Sequence, residues 1–456
     1  MSFRRPKRRH AHRRGPELEV SRYEHLRARA RAVAGRSGRV RQRISVDATL
    51  DPREVPLAAF NVANPELFRQ ELWPAWFRRL RDEAPVHFCA DSQYGPYWSI
   101  TRFDDIMAVD KNNHVFSSDF TLGGVTIQGR GSSVQEYPMF IQMDAPAHDA
   151  QRLTVAPMFT QRSLASLETL IRERVGEILD ALPVGETFDW VPAVSVELTS
   201  RMLATLFDVP QADRHRLIGW SNTISNADDP AYVTDVAQFW EALADCGDYF
   251  AALWAHKQQH PGVFDLLTML SQSTATRDMD ARQLLGNIIL LLVGGNDTTR
   301  NSISGSVLAL NDFPAEYEKL RASPALVHSL VPEVIRWQTP LVHMRRTVRE
   351  DTELRGQTMR RGDKVVMWYL SGNRDERAIE RPDEFIIDRL NPRHHLSFGF
   401  GIHRCLGNRL AELQLRVLWE EILTRFHTVE VVGAPVRASS ALFRAIQSLP
   451  VRLHPR

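Results

Sequence analysis

The residue in this 456-residue chain best placed to do chemistry is Cys405, in the run Phe398-Gly-Phe-Gly-Ile-His-Arg-Cys-Leu-Gly407. Gly399 and Gly401 permit a tight backbone with positive φ. The run then feeds Cys405 into the start of a helix expected from Leu406 onward, where free N–H groups and the helix dipole stabilise a thiolate. Gly407 removes a side chain where that helix would have to lie close to a flat group. A lone cysteine among glycines can also be a small buried hydrophobe. A zinc site drawn from His394, His395, His403 and Cys405 is conceivable, but the paired spacing of such sites is missing.

Three further groups stand upstream. Gly294-Gly-Asn-Asp-Thr298 follows the apolar run 284–293 and sets the acid Asp297 beside the hydroxyl of Thr298. Alone, the string also reads as a glycine pair that weakens a helix before a polar turn. Glu333 and Arg336 stand at i, i+3, on one face of a helix. Arg389 follows just before the cysteine run. His148 and Arg152 lie one helical turn apart, and Arg346 and His403 add two more cationic groups. Any one of these alone reads as surface charge.

In their order along the chain these motifs resemble the cytochrome P450 family. The pattern Phe-x-x-Gly-x-His-x-Cys-x-Gly around Cys405 carries most of the likeness. Glu333-Val-Ile-Arg336 with Arg389, Gly294-Gly-Asn-Asp-Thr298, and Met143-Asp-Ala-Pro-Ala-His-Asp-Ala-Gln-Arg152 support it. Ala145 stands where the family pattern has its first proline. The resemblance runs from about residue 65 to the C-terminus. It implies a mainly α fold with a minor β part, one large helical domain around a buried haem b (iron protoporphyrin IX). Cys405 would ligate the iron, and thiolate ligation favours O–O cleavage. His148, Arg152, Arg346 and His403 would hold the propionates. Glu333, Arg336 and Arg389 would form a structural network under the haem loop. Thr298 would hydrogen-bond the iron-bound oxygen, and Asp297 would relay protons inward from water.

The implied activity is a monooxygenase that uses O2 and two external electrons. No flavin or nicotinamide fingerprint is found, so a ferredoxin and its NAD(P)H-dependent reductase would supply them. Arg152, Arg162 and Arg404 around Cys405 would suit an acidic ferredoxin. Longer strings, such as Gly294-Gly-Asn-Asp-Thr-Thr-Arg-Asn-Ser302 and Met367-Trp-Tyr-Leu-Ser-Gly-Asn-Arg374, resemble the soluble bacterial alkane and fatty-acid terminal hydroxylases. Offsets from the motifs place Leu290, Val293, Gly294, Val342, Met344, Leu442 and Phe443 in a substrate pocket. None is charged, and all could equally be plain core. A terminal C–H bond is stronger than its neighbours, so a narrow channel would have to impose terminal selectivity. Sterols, terpenes or branched lipids are the alternative substrates, and a peroxygenase or a non-catalytic haem protein the alternative activities.

The elements that would position these groups follow from the pattern of the chain. With 43% hydrophobic and 25% charged residues the composition is that of a globular protein. Residues 1–43 hold 15 Lys/Arg against 3 Glu, a net of +12, which leaves 42 basic and 52 acidic residues and a mildly acidic body. That leader has no apolar core, so it reads as neither signal peptide nor membrane anchor, but as a disordered arm before one haem domain over 44–456. An arm that binds nucleic acid or anionic lipid is the less favoured reading. Three cysteines are too few for a disulfide framework and fit a reduced, cytoplasmic protein. The run 284–293 is too short to span a bilayer. Strand-like runs such as 97–101 appear between 65 and 135, and Gly123, Gly124, Gly129 and Gly131 mark a long flexible loop. Helical spacing dominates 146–325, short strands such as 364–368 follow, and a last helix is expected over roughly 405–425.

Overall fold

A single 32-residue helix, Ala281–Asp312, organises the molecule; its N-cap Asp280 accepts the Gln283 N–H at 2.8 Å. It spans about 48 Å at 1.5 Å per residue. Most of its side chains are buried, polar ones included, so neighbours pack against most of its surface. The computed structural model describes residues 23–33, 50–128, 137–225, 233, 235–262 and 264–456.

The helices of at least nine residues are α1 (Glu24–Val33), α2 (Trp73–Glu83), α3 (Phe103–Lys111), α4 (Ala147–Val155), α5 (Gln161–Asp180), α6 (Glu197–Phe207), α7 (Arg214–Ser225), α8 (Val236–Gln259), α9 (Ala281–Asp312), α10 (Pro314–Ala322), α11 (Val327–Gln338) and α12 (Asn408–Arg425). The main sheet contains β1 (Val86–Cys89), β2 (Tyr97–Ile100), β3 (Phe116–Ser117), β4 (Met344–Val348) and β5 (Lys364–Met367), in the order β1-β2-β5-β4-β3. The β2–β5 pair is parallel and the other pairs are antiparallel. A smaller sheet joins Thr187–Asp189, Pro450–Pro455 and Phe426–Val431. The fold is thus mainly helical with a minor β part, as expected.

The strands anticipated at 97–101 and 364–368 are β2 and β5. The final helix starts at Asn408, with Gly407 before it, so Cys405 sits in the approach to the helix rather than within it. Gly123 and Gly124 lie in a turn with φ of +118° and +71°; Gly129 and Gly131 lie outside the described residues. Among the described residues no helix is long and apolar enough to cross a membrane.

The basic leader differs from expectation where it is described. Tyr23, Leu26 and Ala30 repeat at helical spacing, are buried, and lay α1 against α8. A Cβ on Gly247 of α8 would stand 2.7 Å from the Tyr23 ring, so the glycine makes room for the aromatic. Tyr23 Oη donates to the Ala281 carbonyl at 2.8 Å, Arg27 pairs with Asp248 at 2.5 Å, and Arg29 lies 4.9 Å from the Trp240 ring centre. The arginines gave the segment its polar look, yet they occupy only the faces beside a narrow apolar stripe. Residues 1–22 and 34–49 lie outside the described residues.

Gly247→Ala tests this contact. Alanine favours a helix interior by about 1 kcal/mol over glycine, so any loss must come from the clash with Tyr23. Faster tryptic cleavage within residues 24–33 is the expected result. Unchanged resistance would show that α1 does not dock there.

Candidate active site

The cavity of about 840 Å3 is lined both by α9 and by the cysteine loop, residues 398–407. The loop takes its shape from two glycines, Gly399 at φ +64° and Gly401 at φ +66°, a region that side chains rarely adopt. At Gly401 a Cβ would also stand 2.5 Å from the Asp110 carbonyl oxygen. The turn closes with the Cys405 N–H donating to the Phe398 carbonyl at 2.7 Å, and the thiol faces the cavity. Although open to the cavity, the sulfur lies deep in the protein. Burial raises its pKa, while the Gly407 and Asn408 N–H groups and the Arg152 and Arg404 guanidiniums oppose that rise.

Four groups converge beside the thiol. His148 and His403 face each other with ring centres 4.3 Å apart, and both line the cavity with Arg152 and Arg346. His148 Nδ1 binds Asp149 at 2.7 Å, but His148 Nε2 and both His403 nitrogens are buried without a partner among the described residues. Unsatisfied buried polar atoms are costly, so this cluster, with its two arginines, can take a polar or acidic ligand. Burial, with the nearby arginines, lowers the pKa of both imidazoles. Arg152 donates to the Arg404 carbonyl, one residue before the cysteine. Arg346 is shared: Nη2 pairs with buried Asp110 at 2.6 Å and Nη1 donates to the Arg345 carbonyl at 2.8 Å.

The donor set fits a metal that brings its own in-plane ligands. Among the described residues no group of three His, Cys, Asp or Glu could hold an ion. The conceivable zinc set is not assembled: His394 stacks on Phe103 and His395 lies by Phe398. Among the described residues, a Cβ on Gly407 would meet only the Phe159 ring, at 3.8 Å, and one on Gly294 nothing within 4 Å. Protein packing alone therefore does not demand either glycine. A flat, acidic, iron-bearing macrocycle over Cys405 would give both glycines and the orphan imidazoles a purpose.

On α9, Gly294 and Thr298 line the cavity, and the Thr298 hydroxyl rests on the Gly294 carbonyl at 3.1 Å. Asp297 is buried and faces α7 instead. Its carboxylate accepts from Ser225 at 2.5 Å and Ser221 at 3.2 Å, and pairs with Arg300 at 2.5 Å. The two adjacent residues thus serve different faces of the helix, and Ser225, which bonds Asp297, also lines the cavity.

Of the pocket residues anticipated from sequence, Leu290, Val293, Gly294, Met344, Leu442 and Phe443 line the cavity. Val342 does not. It is fully buried in a cluster with Trp368 and Phe77, and Leu341 takes its place in the wall. The offset was one residue out, and in an extended segment one residue reverses the side chain's direction. Sequence reasoning missed Asp110, the partner of Arg346, and the aromatic wall formed by Phe239 and Trp240. It also missed Arg300, although its i+3 spacing from Asp297 was a readable signal.

The Glu333 cluster is complete. Arg336 grips both carboxylate oxygens at 2.7 Å, and Arg389 adds bonds of 3.1 and 3.3 Å. The Ile386 N–H donates a further bond at 2.8 Å. Arg336 also reaches the Asn373, Pro382 and Glu384 carbonyls, pinning the segment that leads into the cysteine loop.

The sequence model of the cytochrome P450 family matches residues 251–439. Linalool 8-monooxygenase of Pseudomonas putida is 34% identical over 405 residues, covering 87% of this chain and 99% of that protein. The methyl-branched lipid omega-hydroxylase of Mycobacterium tuberculosis is 32% identical over 415 residues, covering 88% and 96%. The solved structure of CYP153D17 from Sphingomonas sp. PAMC 26605 is 44% identical, with a TM-score of 0.81 over 87% of this chain and 100% of that one.

Arg336→Ala is expected to lower stability by about 3–5 kcal/mol, because it strands a buried carboxylate; urea denaturation measures it. Burial alone would raise the Glu333 pKa, but Arg336 and Arg389 outweigh it and hold the value down. The cluster's contribution is therefore full above the ordinary glutamate range and is lost as pH falls through the lower folded value. Arg336→Ala should flatten that acid limb, and an unchanged limb would assign it to other groups.

Proposed function

The chain belongs to the cytochrome P450 family and is a haem-thiolate monooxygenase, and on that premise we propose that it hydroxylates the terminal carbon of linear alkanes or fatty acids. The observation that carries this reading is the cavity wall above Cys405. Leu290, Val293, Leu341, Met344, Leu442 and Phe443 offer no charge, so this part of the wall would hold a chain by shape and apolar contact. The omega-hydroxylase named among the relatives supports the terminal position, while its own named substrate is a methyl-branched lipid.

We assign haem b as the cofactor, bound without a covalent tether. Cys89 and Cys246 are buried elsewhere, which leaves Cys405 as the cysteine of the cavity. Cys405 would ligate the iron, and Arg152, Arg346, His148 and His403 would take the propionates. Haem with a thiolate ligand supplies O2 activation and oxygen insertion. The chain's own part is to hold substrate and move protons. Gly294 leaves space beside α9, and Thr298 Oγ1 can turn from the Gly294 carbonyl to donate into the cavity. Asp297 feeds protons to that hydroxyl from the α7 side, with Ser225 Oγ as the bridging group. Electrons come from a ferredoxin and its NAD(P)H-dependent reductase, and exposed Arg162 and Arg404 supply positive charge for an acidic partner. We further read residues 44–456 as one haem domain working in the cytoplasm.

A second reading, oxidation of terpenes or branched lipids, draws on the relative named for linalool. Incubation of the reconstituted enzyme with a linear alkane, its fatty acid and an acyclic terpene alcohol separates the two. A primary alcohol from the linear chain is the expected product; internal alcohols, or oxidation of the terpene alone, would overturn the first reading.

Two measurements probe the assigned residues. The reduced, CO-bound protein should show the red-shifted band of a thiolate ligand, lost in Cys405→Ser. In Thr298→Ala, NAD(P)H oxidation should continue while product per NAD(P)H falls by roughly tenfold or more. Coupling equal to wild type would remove Thr298 from proton delivery.

A further inference from the structure

Three separate segments that line the cavity meet at one buried side chain. Residues 341–344 and 439–443 already run together: the Arg444 N–H donates to the Pro340 carbonyl and the Val342 N–H to Leu442, both at 2.9 Å, with Leu341 opposite Phe443. His343, fully buried, extends this pairing, since its Nδ1 donates to the Ala441 carbonyl at 2.8 Å. The other ring nitrogen reaches the third segment: the Ile127 N–H donates to His343 Nε2 at 3.1 Å. Val125, Thr126 and Gln128, around Ile127, line the cavity.

The two bonds define the state of the ring. Nδ1 must carry the proton and Nε2 must be bare, because a doubly protonated imidazole could not accept from Ile127. Burial, with the Lys364 ammonium nearby, pushes this histidine down to about 4, so the ring stays neutral over the working pH range. Trp368, 5.1 Å away between ring centres, packs against it. A buried histidine is more often a satisfied core residue than a functional one. Here, however, both partners are backbone groups of cavity-lining segments, and Leu341 and Met344, on either side in sequence, face the cavity themselves.

We infer that His343 is a specificity-determining positioning residue: by tying Ile127 to Ala441 it sets the spacing of the cavity walls, and with it which carbon of the substrate can reach the reacting centre. The inference rests on the terminal-hydroxylase reading and deepens it. Without the imidazole, the Ile127 N–H and the Ala441 carbonyl would be left without these partners, and the 125–128 segment would move to find others. A wider bore admits bent chains, and the weaker internal C–H bonds then compete.

The test compares wild type, His343→Leu and His343→Gln holoenzymes on a linear alkane, with the ratio of terminal to internal alcohol as readout. The band of the reduced, CO-bound state reports an intact site. Glutamine can still donate to Ala441 and accept from Ile127; leucine can do neither. His343→Leu should lower the ratio by roughly tenfold, the scale of methylene-sized discrimination in an apolar pocket, and His343→Gln should restore most of it. A wild-type ratio in His343→Leu with an intact band would overturn the inference. Should His343→Leu not bind haem, amide exchange at Ile127 in the wild-type holoenzyme decides: slow exchange supports the tie, and exchange as fast as an open loop overturns it. A wild-type enzyme without terminal preference would fail the substrate reading instead. The inference would then be judged on whether His343→Leu broadens the product positions on a terpene alcohol, and an unbroadened pattern would overturn it.

Discussion

The buried carboxylate of Glu333 is the constraint on which the rest of the site depends. It accepts from two guanidiniums and a backbone amide, so its charge is compensated where water cannot help. The bonds continue from there. Arg336 holds the Asn373 carbonyl; the Asn373 side chain accepts from the Leu396 N–H at 2.6 Å and donates to Ser397 at 2.9 Å, and Ser397 donates back to Ile335 on α11. The stem of the cysteine loop is thereby locked to a helix far from it in sequence. Asp110 secures the far side, accepting from the Phe400 N–H, the Tyr369 hydroxyl and Arg346. The proposed meeting of this cysteine with a rigid macrocycle would need its approach fixed on both sides, and two buried carboxylates do this.

What could be read from the sequence was what local spacing encodes. Gly399 and Gly401 signal a turn wherever they stand, Glu333 and Arg336 face together because helices repeat every 3.6 residues, and Cys405 stands out against both. Family resemblance then placed His148, Arg152, Arg346 and Arg389, which no local rule would have joined. What could not be read depended on distant contacts. Asp110 meets Arg346 across 236 positions and His343 meets Ile127 across 216, and nothing in either short string announces its partner. Val342 was misplaced for a different reason: an offset counted from a motif says nothing about which way an extended chain turns each side chain. In α1 the stripe of Tyr23, Leu26 and Ala30 was present in the sequence but outweighed by the arginines around it.

The cavity also separates two tasks that lie next to each other in sequence. Thr298 faces the cavity while Asp297 is bound into contacts with α7, so two neighbouring residues divide a buried, charged side of the helix from an apolar one. Keeping the acid outside lets the wall above Cys405 remain uncharged, and an apolar chain then meets no carboxylate to desolvate.

Helix α1 gives the N-terminus of the polypeptide a mechanical address. Trp240 carries the Arg29 guanidinium and also forms part of the cavity wall, so a displacement of α1 would reach the chamber wall directly. An affinity tag or an electron-donor domain joined ahead of Tyr23 would hang its mass on that wall. The C-terminal strand, Pro450–Pro455, ends in a sheet whose residues do not line the chamber, and makes the quieter anchorage for a fusion.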